Sequence, residues 1–384
     1  MRQPECRKSQ RTSWVAIGPI VSGSIPASHL SVNCSFIQYT VPVPPRPISN
    51  PPNPWHATTT EWLEPPPAAR LEVYEDATRS VLSRNDSPDL GFRWSVNPYR
   101  GCTHACAYCY ARPWHEYLDF GAGTDFDRKI VVKLDAARLL AAAFDRKSWQ
   151  GETVVFSGVT DCYQPLEASY GLTRACLEVC EAYRNPVSII TKSPLIERDL
   201  DRLTALAAVA DVRVTISIPL ARRRSARAIE PHVASPERRL ETIARLAAAG
   251  IAVGLNVAPF VPVLSDEGLP ELLERAAAAG ARWAGFTFVR LRGPVQAVFV
   301  ERLREALPLR AEHVLARIRD ARAGALDDAR FGHRMRGEGP YAEAARALFD
   351  AAARKAGLAT TWADPPTATT FRRPARGPRQ LSLL

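Results

Sequence analysis

Short apolar runs alternate with helical patterns along the middle of the chain, and this alternation constrains the fold more than any other feature. The apolar runs predict strands at residues 93–96, 153–158, 187–191, 213–218, 251–258 and 283–291. The helical patterns follow them, at residues 134–145, 171–183, 197–208, 236–249, 269–279 and 296–306. Strands that are joined by helices pair in parallel through right-handed crossovers. The sequence therefore predicts an α/β fold, either a doubly wound open sheet or a barrel.

Capping residues mark several of the predicted helix ends. Ser235 precedes Pro236 and Glu237, which is typical of a helix N-terminus. Gly250 and Gly280 follow two helical patterns and predict left-handed C-terminal caps.

The two ends of the chain differ from the middle. Residues 1–68 are rich in Pro, Ser and Thr and show no sustained period, so a largely disordered extension is predicted there. Residues 359–384 form a basic, Pro-rich tail that is also predicted to be disordered. Residues 69–358 are predicted to form the core domain, which includes C-terminal helices.

The chain of 384 residues has a net charge of +10 and a pI near 9.4. This charge favours an anionic partner such as nucleic acid, although an Arg-rich and Ala-rich composition produces the same charge without one. No apolar run has the length of a membrane helix, so we expect no membrane partner. The apolar stretch at residues 14–25 is short and interrupted by Gly18, Pro19 and Gly23, so a secretory signal is not expected.

Three cysteines in a C-x3-C-x2-C array carry the chemical signal. Cys102, Cys106 and Cys109 lie within residues 97–110. Three thiolates can bind three irons of a [4Fe–4S] cube and leave the fourth iron open to a ligand. Zinc ribbons prefer two C-x2-C pairs, and no second pair follows; a thioredoxin-type motif would not need Cys102. The array favours a cluster, and an oxygen-sensitive cluster indicates a reducing cytoplasm.

This array resembles the signature of the radical S-adenosylmethionine (SAM) superfamily. The resemblance implies a [4Fe–4S] cluster whose open iron chelates SAM, and an electron that cleaves the C–S bond to give a 5′-deoxyadenosyl radical. It also implies an electron donor of the flavodoxin or ferredoxin type. The resemblance decides between the two α/β folds in favour of a partial (β/α)6, TIM-like barrel. Active sites lie at the carboxyl ends of barrel strands, where the cysteine array follows the first strand.

Polar residues follow the other predicted strands. Gly158 allows close backbone approach, and Thr160 and Asp161 offer acceptors for a cationic amine; a structural turn is the alternative. Thr215 and Ser217 lie on one strand face, where they suit a ribose or serve as satisfied core groups. The full set of candidate cofactor-binding residues is Tyr108, Gly158, Thr160, Asp161, Lys192, Thr215, Ser217, Asn256 and Ala258.

Several segments resemble the spore photoproduct lyase-like branch of the superfamily. They include TDCYQP at residues 160–165, TKS at 191–193, SPERRL at 235–240 and FGHRMRG at 331–337. The resemblance implies that Cys102, Cys106 and Cys109 bind iron, that Lys192 pairs with the SAM carboxylate and that Thr160 is a nearby hydroxyl.

One position departs from this branch. The lyase uses a cysteine near the end of the second strand as a hydrogen-atom donor, and an ungapped register places Gly158 there. Cys162 lies four residues later. It is the candidate donor, with a buried structural cysteine as the alternative.

The sequence thus favours a radical SAM enzyme that acts on DNA or RNA, in repair or modification. The alternatives are a radical SAM enzyme acting on a peptide or small metabolite, and a non-enzymatic metal-binding protein. The terminal sequence QLSLL, residues 380–384, resembles the peptides that bacterial DNA-processing proteins insert into the sliding clamp. Leu384 departs from the Phe that is usual at the last position.

Overall fold

The computed structural model describes residues 70–360 and 369–375. Ten strands lie in these residues: β1 (Glu72–Glu75), β2 (Leu82–Arg84), β3 (Trp94–Val96), β4 (Tyr99–Arg100), β5 (Lys129–Val132), β6 (Val154–Phe156), β7 (Val187–Thr191), β8 (Val212–Ser217), β9 (Ala252–Phe260) and β10 (Ala284–Phe288).

Twelve α-helices accompany the strands in the described part of the chain. They are α1 (Pro113–Glu116), α2 (Thr124–Arg128), α3 (Ala136–Phe144), α4 (Glu167–Tyr170), α5 (Leu172–Ala182), α6 (Leu200–Ala207), α7 (Arg223–Ile229), α8 (Pro236–Ala248), α9 (Leu269–Ala278), α10 (Pro294–Ala306), α11 (Pro308–Asp320) and α12 (Pro340–Lys355). A 3-10 helix, Pro194–Asp199, precedes α6.

Strand order identifies the architecture. The main sheet runs β2-β3-β6-β7-β8-β9-β10, and its strands from β3 onward are parallel and stand side by side in chain order. In a doubly wound sheet the spatial order of the strands reverses at a switch point, and in this sheet the order does not reverse. The fold is therefore the predicted partial (β/α)6 barrel, with β2 added as an antiparallel edge strand. We call the carboxyl ends of the parallel strands the mouth and their amino ends the floor.

The predicted elements agree with the observed ones, α11 and α12 lie where C-terminal helices were predicted without bounds, and the elements that were missed are short. Each of the six predicted strands is present, and the prediction for residues 187–191 matches β7 at both ends. The Ser235 hydroxyl accepts a hydrogen bond from the Arg238 N–H and so caps α8, and Gly250 and Gly280 have positive φ angles. The separate sheet β1-β5-β4 was not predicted. Its strands have two to four residues, too few to establish a period.

Side-chain alternation separates the two faces of the main sheet. Val214 and Ile216 of β8 pack in the main hydrophobic core, whereas Thr215 and Ser217 lie on the opposite face. In the parallel register, Thr215 stands beside Gly254 and Ser217 beside Asn256, so a row of small and polar residues crosses the sheet.

Loops bridge the gap between the edge strands of the barrel. Asp89, which follows β2, accepts hydrogen bonds from the Gly332 N–H at 2.6 Å and from the Arg334 guanidinium. The N–H of Phe288 in β10 donates to the Met335 carbonyl at 2.9 Å. The segment 331–337 thus covers the end of β10 and connects it to the β2 side.

Part of the C-terminal tail is attached to the floor, which corrects the prediction of a disordered tail for residues 369–375. The Phe371 ring packs against those of Phe144 and Tyr183, with centroids 6.0 and 6.2 Å away. The Arg373 guanidinium donates to the carbonyls at the end of α3, including that of Arg146 at 2.7 Å. The predicted extension 1–68 and the terminal peptide 380–384 lie outside the described residues.

No helix in residues 70–360 is long and apolar enough to span a membrane.

Candidate active site

The cysteine loop lies at the mouth, directly after β3 and β4. Gly101 starts it with a φ of +75°, and a Cβ there would lie 2.9 Å from the Phe126 carbonyl oxygen. Only glycine adopts this conformation at low cost. The Cys102 N–H donates to the same Phe126 carbonyl at 2.9 Å. The start of the loop is therefore fixed against α2.

A fully buried arginine holds the middle of the loop. The Arg112 guanidinium donates to the Cys106 carbonyl at 3.0 Å, to the Ala122 carbonyl at 2.8 Å and to the Asp127 carboxylate at 2.9 Å. Because the guanidinium is rigid and has five N–H donors, it can join several chain segments at fixed angles. Sequence reasoning missed this residue, since a single Arg has no pattern.

A second set of contacts ties the loop to the end of β6. The Gln164 side chain accepts from the Thr103 N–H and donates to the Gly101 carbonyl, both at 3.1 Å. The Thr160 hydroxyl donates to the Tyr99 carbonyl at 2.8 Å. The segment TDCYQP therefore supports the cysteine loop directly.

The three thiols lie close enough to affect one another electrostatically. Cys102 and Cys106 are buried, Cys109 is half-buried, and none forms a disulfide. Burial raises the pKa of each thiol, and for Cys102 the other two cysteines raise it further. The Lys192 ammonium counteracts this rise at Cys106 and Cys109.

Lys192 sits at the end of β7 beside this loop. Its ammonium lies 5.8 Å from the centroid of the Tyr108 ring. The ammonium itself makes no hydrogen bond or ion pair with the described residues, and the residue is half-buried. A cation in this setting attracts an anionic group to the site.

Asp161 links three chain segments through one carboxylate. It accepts from the Thr191 hydroxyl at 2.7 Å, from the Lys192 N–H at 2.8 Å and from the Tyr163 N–H at 2.9 Å. The His104 ring nitrogen lies 3.4 Å away. Although burial opposes it, these donors lower the pKa of Asp161 to about 2. The carboxylate stays ionised and fixes His104 of the cysteine loop to the ends of β6 and β7.

Gly158 follows β6 and has a steric reason to be glycine. A Cβ at this position would lie 2.6 Å from the Ser95 Cβ. Its carbonyl accepts from the Tyr110 hydroxyl at 2.7 Å. The close neighbour of this backbone is therefore protein, and the predicted approach of a cofactor to Gly158 stays a prediction.

The remaining candidates stand on β8 and β9. The Thr215 hydroxyl accepts from the Trp283 indole at 3.3 Å, so it has a protein partner. Ser217 is buried beside Asn256, whose side-chain oxygen would lie 2.6 Å from a Cβ at Gly285. Ala258 lies near the end of β9, half-buried.

Tyr108 reaches across the mouth to a buried ion pair. Its hydroxyl donates to the Glu230 carboxylate, which also accepts from the Arg239 guanidinium at 2.7 Å. Arg239 donates in turn to the Ser217 carbonyl at 2.7 Å. The sequence indicated Tyr108 as a cofactor-binding candidate but gave no sign of Glu230 or Arg239. SPERRL contains Arg239, but nothing in the sequence links it to a glutamate outside that segment.

Several known proteins are similar to this chain in sequence. The family model described as Radical SAM superfamily matches residues 96–276. An uncharacterized protein of Mycobacterium tuberculosis (strain ATCC 25618 / H37Rv) is 41% identical over 241 residues, which are 62% of this chain and 71% of the relative. An uncharacterized protein of Methanocaldococcus jannaschii is 29% identical over 52% of this chain and 71% of the relative.

The chain belongs to the radical SAM superfamily. Its fold is also that of spore photoproduct lyase. The structure of this lyase complexed with a dinucleoside spore photoproduct has a TM-score of 0.52 and 17% identity, with 75% of this chain and 81% of that chain covered.

Membership defines the reaction class and the cofactors. This radical SAM enzyme uses a [4Fe–4S] cluster and SAM, which supply reductive cleavage of SAM and a 5′-deoxyadenosyl radical. It requires an electron donor.

The donor set of the cysteine loop fits the cluster. Cys102, Cys106 and Cys109 offer three thiols on one rigid loop, with the Lys192 ammonium nearby. Among residues 70–360 and 369–375, no three His, Cys, Asp or Glu side chains are arranged to hold a single metal ion. A cube takes one thiolate at each of three irons, so its ligands need not meet at one point.

Cys162 is fully buried in the main hydrophobic core. Its N–H donates to the Ser157 hydroxyl at 2.8 Å, and burial raises its pKa well above the usual thiol value. The thiol therefore stays protonated at neutral pH. A hydrogen-atom donor needs this protonation state, and a structural cysteine shares it, so the assignment stays a prediction.

Proposed function

We propose that this radical SAM enzyme acts on nucleic acid, DNA or RNA, in repair or modification. The observation that carries the proposal is a basic and aromatic rim at the gap between the two edge strands of the barrel. This rim consists of Tyr110, Arg290, Arg292, Phe331 and Arg334.

The cations of the rim are Arg290 and Arg292, after β10, and Arg334 of the segment 331–337, which is buried and pairs with Asp89. Arg290 and Arg292 form no ion pair with a described residue, and the Arg290 Nε is buried without a hydrogen-bond partner in the described chain. Burial, and repulsion from Arg334 and Arg292, lower the pKa of Arg290. An anion placed there would relieve both effects, and a nucleic acid backbone supplies one phosphate per nucleotide.

Exposed aromatic rings stand beside these cations. The Phe331 side chain is 57% exposed, and the Arg334 guanidinium lies 4.2 Å from the centroid of its ring. Tyr110, directly after the cysteine array, is 52% exposed and close enough to Arg290 for the cation to affect its pKa. Cations that alternate with accessible rings are typical of surfaces that bind unstacked bases. The fold likeness to a lyase whose structure contains a dinucleoside photoproduct agrees with this direction.

We assign the residues of the site as follows. Cys102, Cys106 and Cys109 bind the cluster, and Lys192 pairs with the SAM carboxylate. Ser217, Asn256 and Ala258 line the nucleoside part. Gly158, Thr160, Asp161, Thr215 and Tyr108 act mainly by supporting the cysteine loop and the strand ends, because their polar groups already have protein partners.

The proposal extends to partners and location. A flavodoxin or ferredoxin supplies the electron, and the enzyme works in the cytoplasm, where an oxygen-sensitive cluster persists. The terminal peptide 380–384 recruits the enzyme to the sliding clamp, in keeping with a DNA substrate. Residues 69–358 form the catalytic domain, preceded by the extension 1–68.

Oligonucleotide binding tests the substrate class. We expect Arg290→Ala to weaken binding of a single-stranded oligonucleotide roughly tenfold and to lower the slope of log K against log salt by about one. Arg354→Ala is the control, because this exposed arginine lies in the last turn of α12, at the end of the helix opposite to the segment 331–337, and it should leave both unchanged. Equal binding by the two variants, or binding of the reconstituted enzyme to a peptide substrate alone, would contradict the proposal.

A further inference from the structure

We propose that an arginine-rich face formed by α7, α2 and α10 is the docking surface for an acidic electron-carrier protein of the flavodoxin or ferredoxin class. The face is defined by Arg128, Arg223, Arg224, Arg227 and Arg302. The inference rests on the proposed function, because only an enzyme whose cluster is reduced during its reaction needs such a carrier.

The face lies directly on the cysteine loop. The N–H of Ala107, between Cys106 and Cys109, donates to the carbonyl of Ile229, the last residue of α7, at 2.9 Å. The next residue, Glu230, accepts from the Tyr108 hydroxyl. The end of α7 and the loop that holds the cluster ligands therefore form one packed unit, and a carrier seated on α7 is adjacent to those ligands.

The outer side of α7 is strongly cationic. Arg223, Arg224 and Arg227 are exposed, whereas Ser225 and Ala226 are buried. None of the three arginines forms an ion pair with a described residue. The buried side of α7 is packed against the protein, and the unpaired arginines of its exposed side are available to bind a partner.

Neighbouring helices extend this charge. Arg302 of α10 donates to the Ala228 carbonyl at 3.1 Å, and Arg128 ends α2. His232 lies close to Arg128, Arg227 and Arg302; burial and these cations lower its pKa to about 4, so it is neutral at pH 7. The face is thus a cluster of cations from three helices.

The nearby acids cancel only part of this charge: Glu237 and Glu271 line one cavity with Arg223, and Glu271 pairs with Arg222 at 3.6 Å. Asp127 and Glu230 are buried and pair with Arg112 and Arg239. Glu305 pairs with Arg302 at 3.3 Å and neutralises that residue alone. The exposed remainder is positive, so it complements an acidic carrier and accelerates encounter at low ionic strength. Weak redox complexes bury little surface, and a short helix with its neighbours is large enough.

Nucleic acid is the competing occupant, and the composition of the face argues against it. The seven residues of α7 contain no aromatic side chain, whereas the proposed nucleic acid rim presents Phe331 and Tyr110. Charge without stacking platforms suits a protein partner better than unstacked bases. The three cysteines would hold the metal centre, which would accept one electron while the flavin or iron–sulfur centre of the carrier would be oxidised by one electron, with no atom transferred.

Binding of a purified flavodoxin to the full chain tests the face independently of catalysis. The variant is the double substitution Arg224→Glu and Arg227→Glu. We expect its dissociation constant for oxidised flavodoxin at low salt to rise roughly tenfold or more, with a much weaker salt dependence. The matched control is Arg354→Glu, a reversal at an exposed arginine of α12, which should bind as the parent chain does. Equal flavodoxin affinity in the double variant and the control overturns the proposal.

Reduction kinetics give the second readout. With reduced flavodoxin, the double variant should form 5′-deoxyadenosine roughly tenfold more slowly, and with reduced methyl viologen, a small cation, it should match the parent. A double variant that loses oligonucleotide affinity while it keeps flavodoxin affinity assigns the face to nucleic acid and overturns the inference. A parent enzyme that cleaves no SAM with methyl viologen contradicts the proposed function instead, and flavodoxin binding still decides the docking surface.

Discussion

At the mouth of the barrel the buried groups are charged and pair with one another, whereas at the floor aromatic rings pack together. Arg112 meets Asp127 and Arg239 meets Glu230 around the cysteine loop, and both arginines are fully buried. At the floor, the ring of Phe144 stacks on Trp149 with centroids 5.0 Å apart. Phe371 from the C-terminal segment extends this aromatic cluster.

The difference shows that the mouth, rather than the floor, is the end with the fixed geometry that chemistry needs. A buried ion pair stabilises little compared with apolar residues of the same volume, but loss of one partner leaves an uncompensated buried charge. Such pairs therefore fix one arrangement of the loop at the mouth. Aromatic packing at the floor contributes stability through buried area and tolerates small shifts. Four predictions test this contrast.

Substitution of a proposed cluster ligand should have the largest effect. We expect Cys102→Ser to bring iron, labile sulfide and SAM cleavage below detection, since two thiolates do not hold the cube. Cys176→Ala is the matched control, because Cys176 is fully buried in α5. It should lower the melting temperature and keep the iron. Retention of iron and SAM cleavage in Cys102→Ser would remove the chemical basis of the assignment.

Loss of the arginine at the mouth should have the largest effect on stability. Arg112→Met leaves the Asp127 carboxylate buried and several carbonyls without donors, and we expect a loss of about 3–5 kcal/mol in the free energy of unfolding. Denaturant titration measures it. Arg138→Met removes an arginine whose ion pair with Asp135 is exposed, and it should unfold as the parent does. Similar midpoints for the two variants would mean that the buried pair does not fix the loop.

Truncation at the floor should separate stability from activity. We expect Phe371→Ala to lower the free energy of unfolding by roughly 1–3 kcal/mol, because it removes ring contacts with Phe144 and Tyr183. SAM cleavage at 25 °C should equal that of the parent, since the segment contacts no residue of the mouth. Phe331→Ala, at the rim, is the control, and it should leave the free energy of unfolding unchanged. Slower SAM cleavage in Phe371→Ala would mean that packing at the floor affects the reaction at the mouth.

Mild acid should lower the free energy of unfolding by a smaller amount, through a histidine beside the cysteine loop. Burial lowers the pKa of His115 to about 4, and its Nε2 is buried without a partner in the described chain. The unfolded chain takes up this proton near pH 6.5 and the folded chain does not, so stability falls as the pH falls between those values. We expect a loss of about 1 kcal/mol between pH 6.5 and 5.5. His115→Gln should show a flatter pH dependence; an unchanged slope would place the titration elsewhere.

The sequence alone determined the order of the elements and the reaction class. Strand and helix alternation has a short period, and the cysteine array lies within eight consecutive residues, so both are local signals. The polar strand ends could be found in the same way, because parallel strands bring their carboxyl ends together. Two assignments stay predictions: Cys162 as the hydrogen donor, and the residues assigned to SAM as its binding site.

Only the tertiary structure decided what surrounds the cysteines. Tyr108 and its partner Glu230 are 122 residues apart, and Arg373 and the Phe144 carbonyl that it caps are 229 apart. No periodic pattern connects such pairs, because they form only when the barrel brings distant loops to the same end. The sequence therefore predicted the cluster ligands, and only folding decided the buried charges at the mouth and the aromatic contacts at the floor.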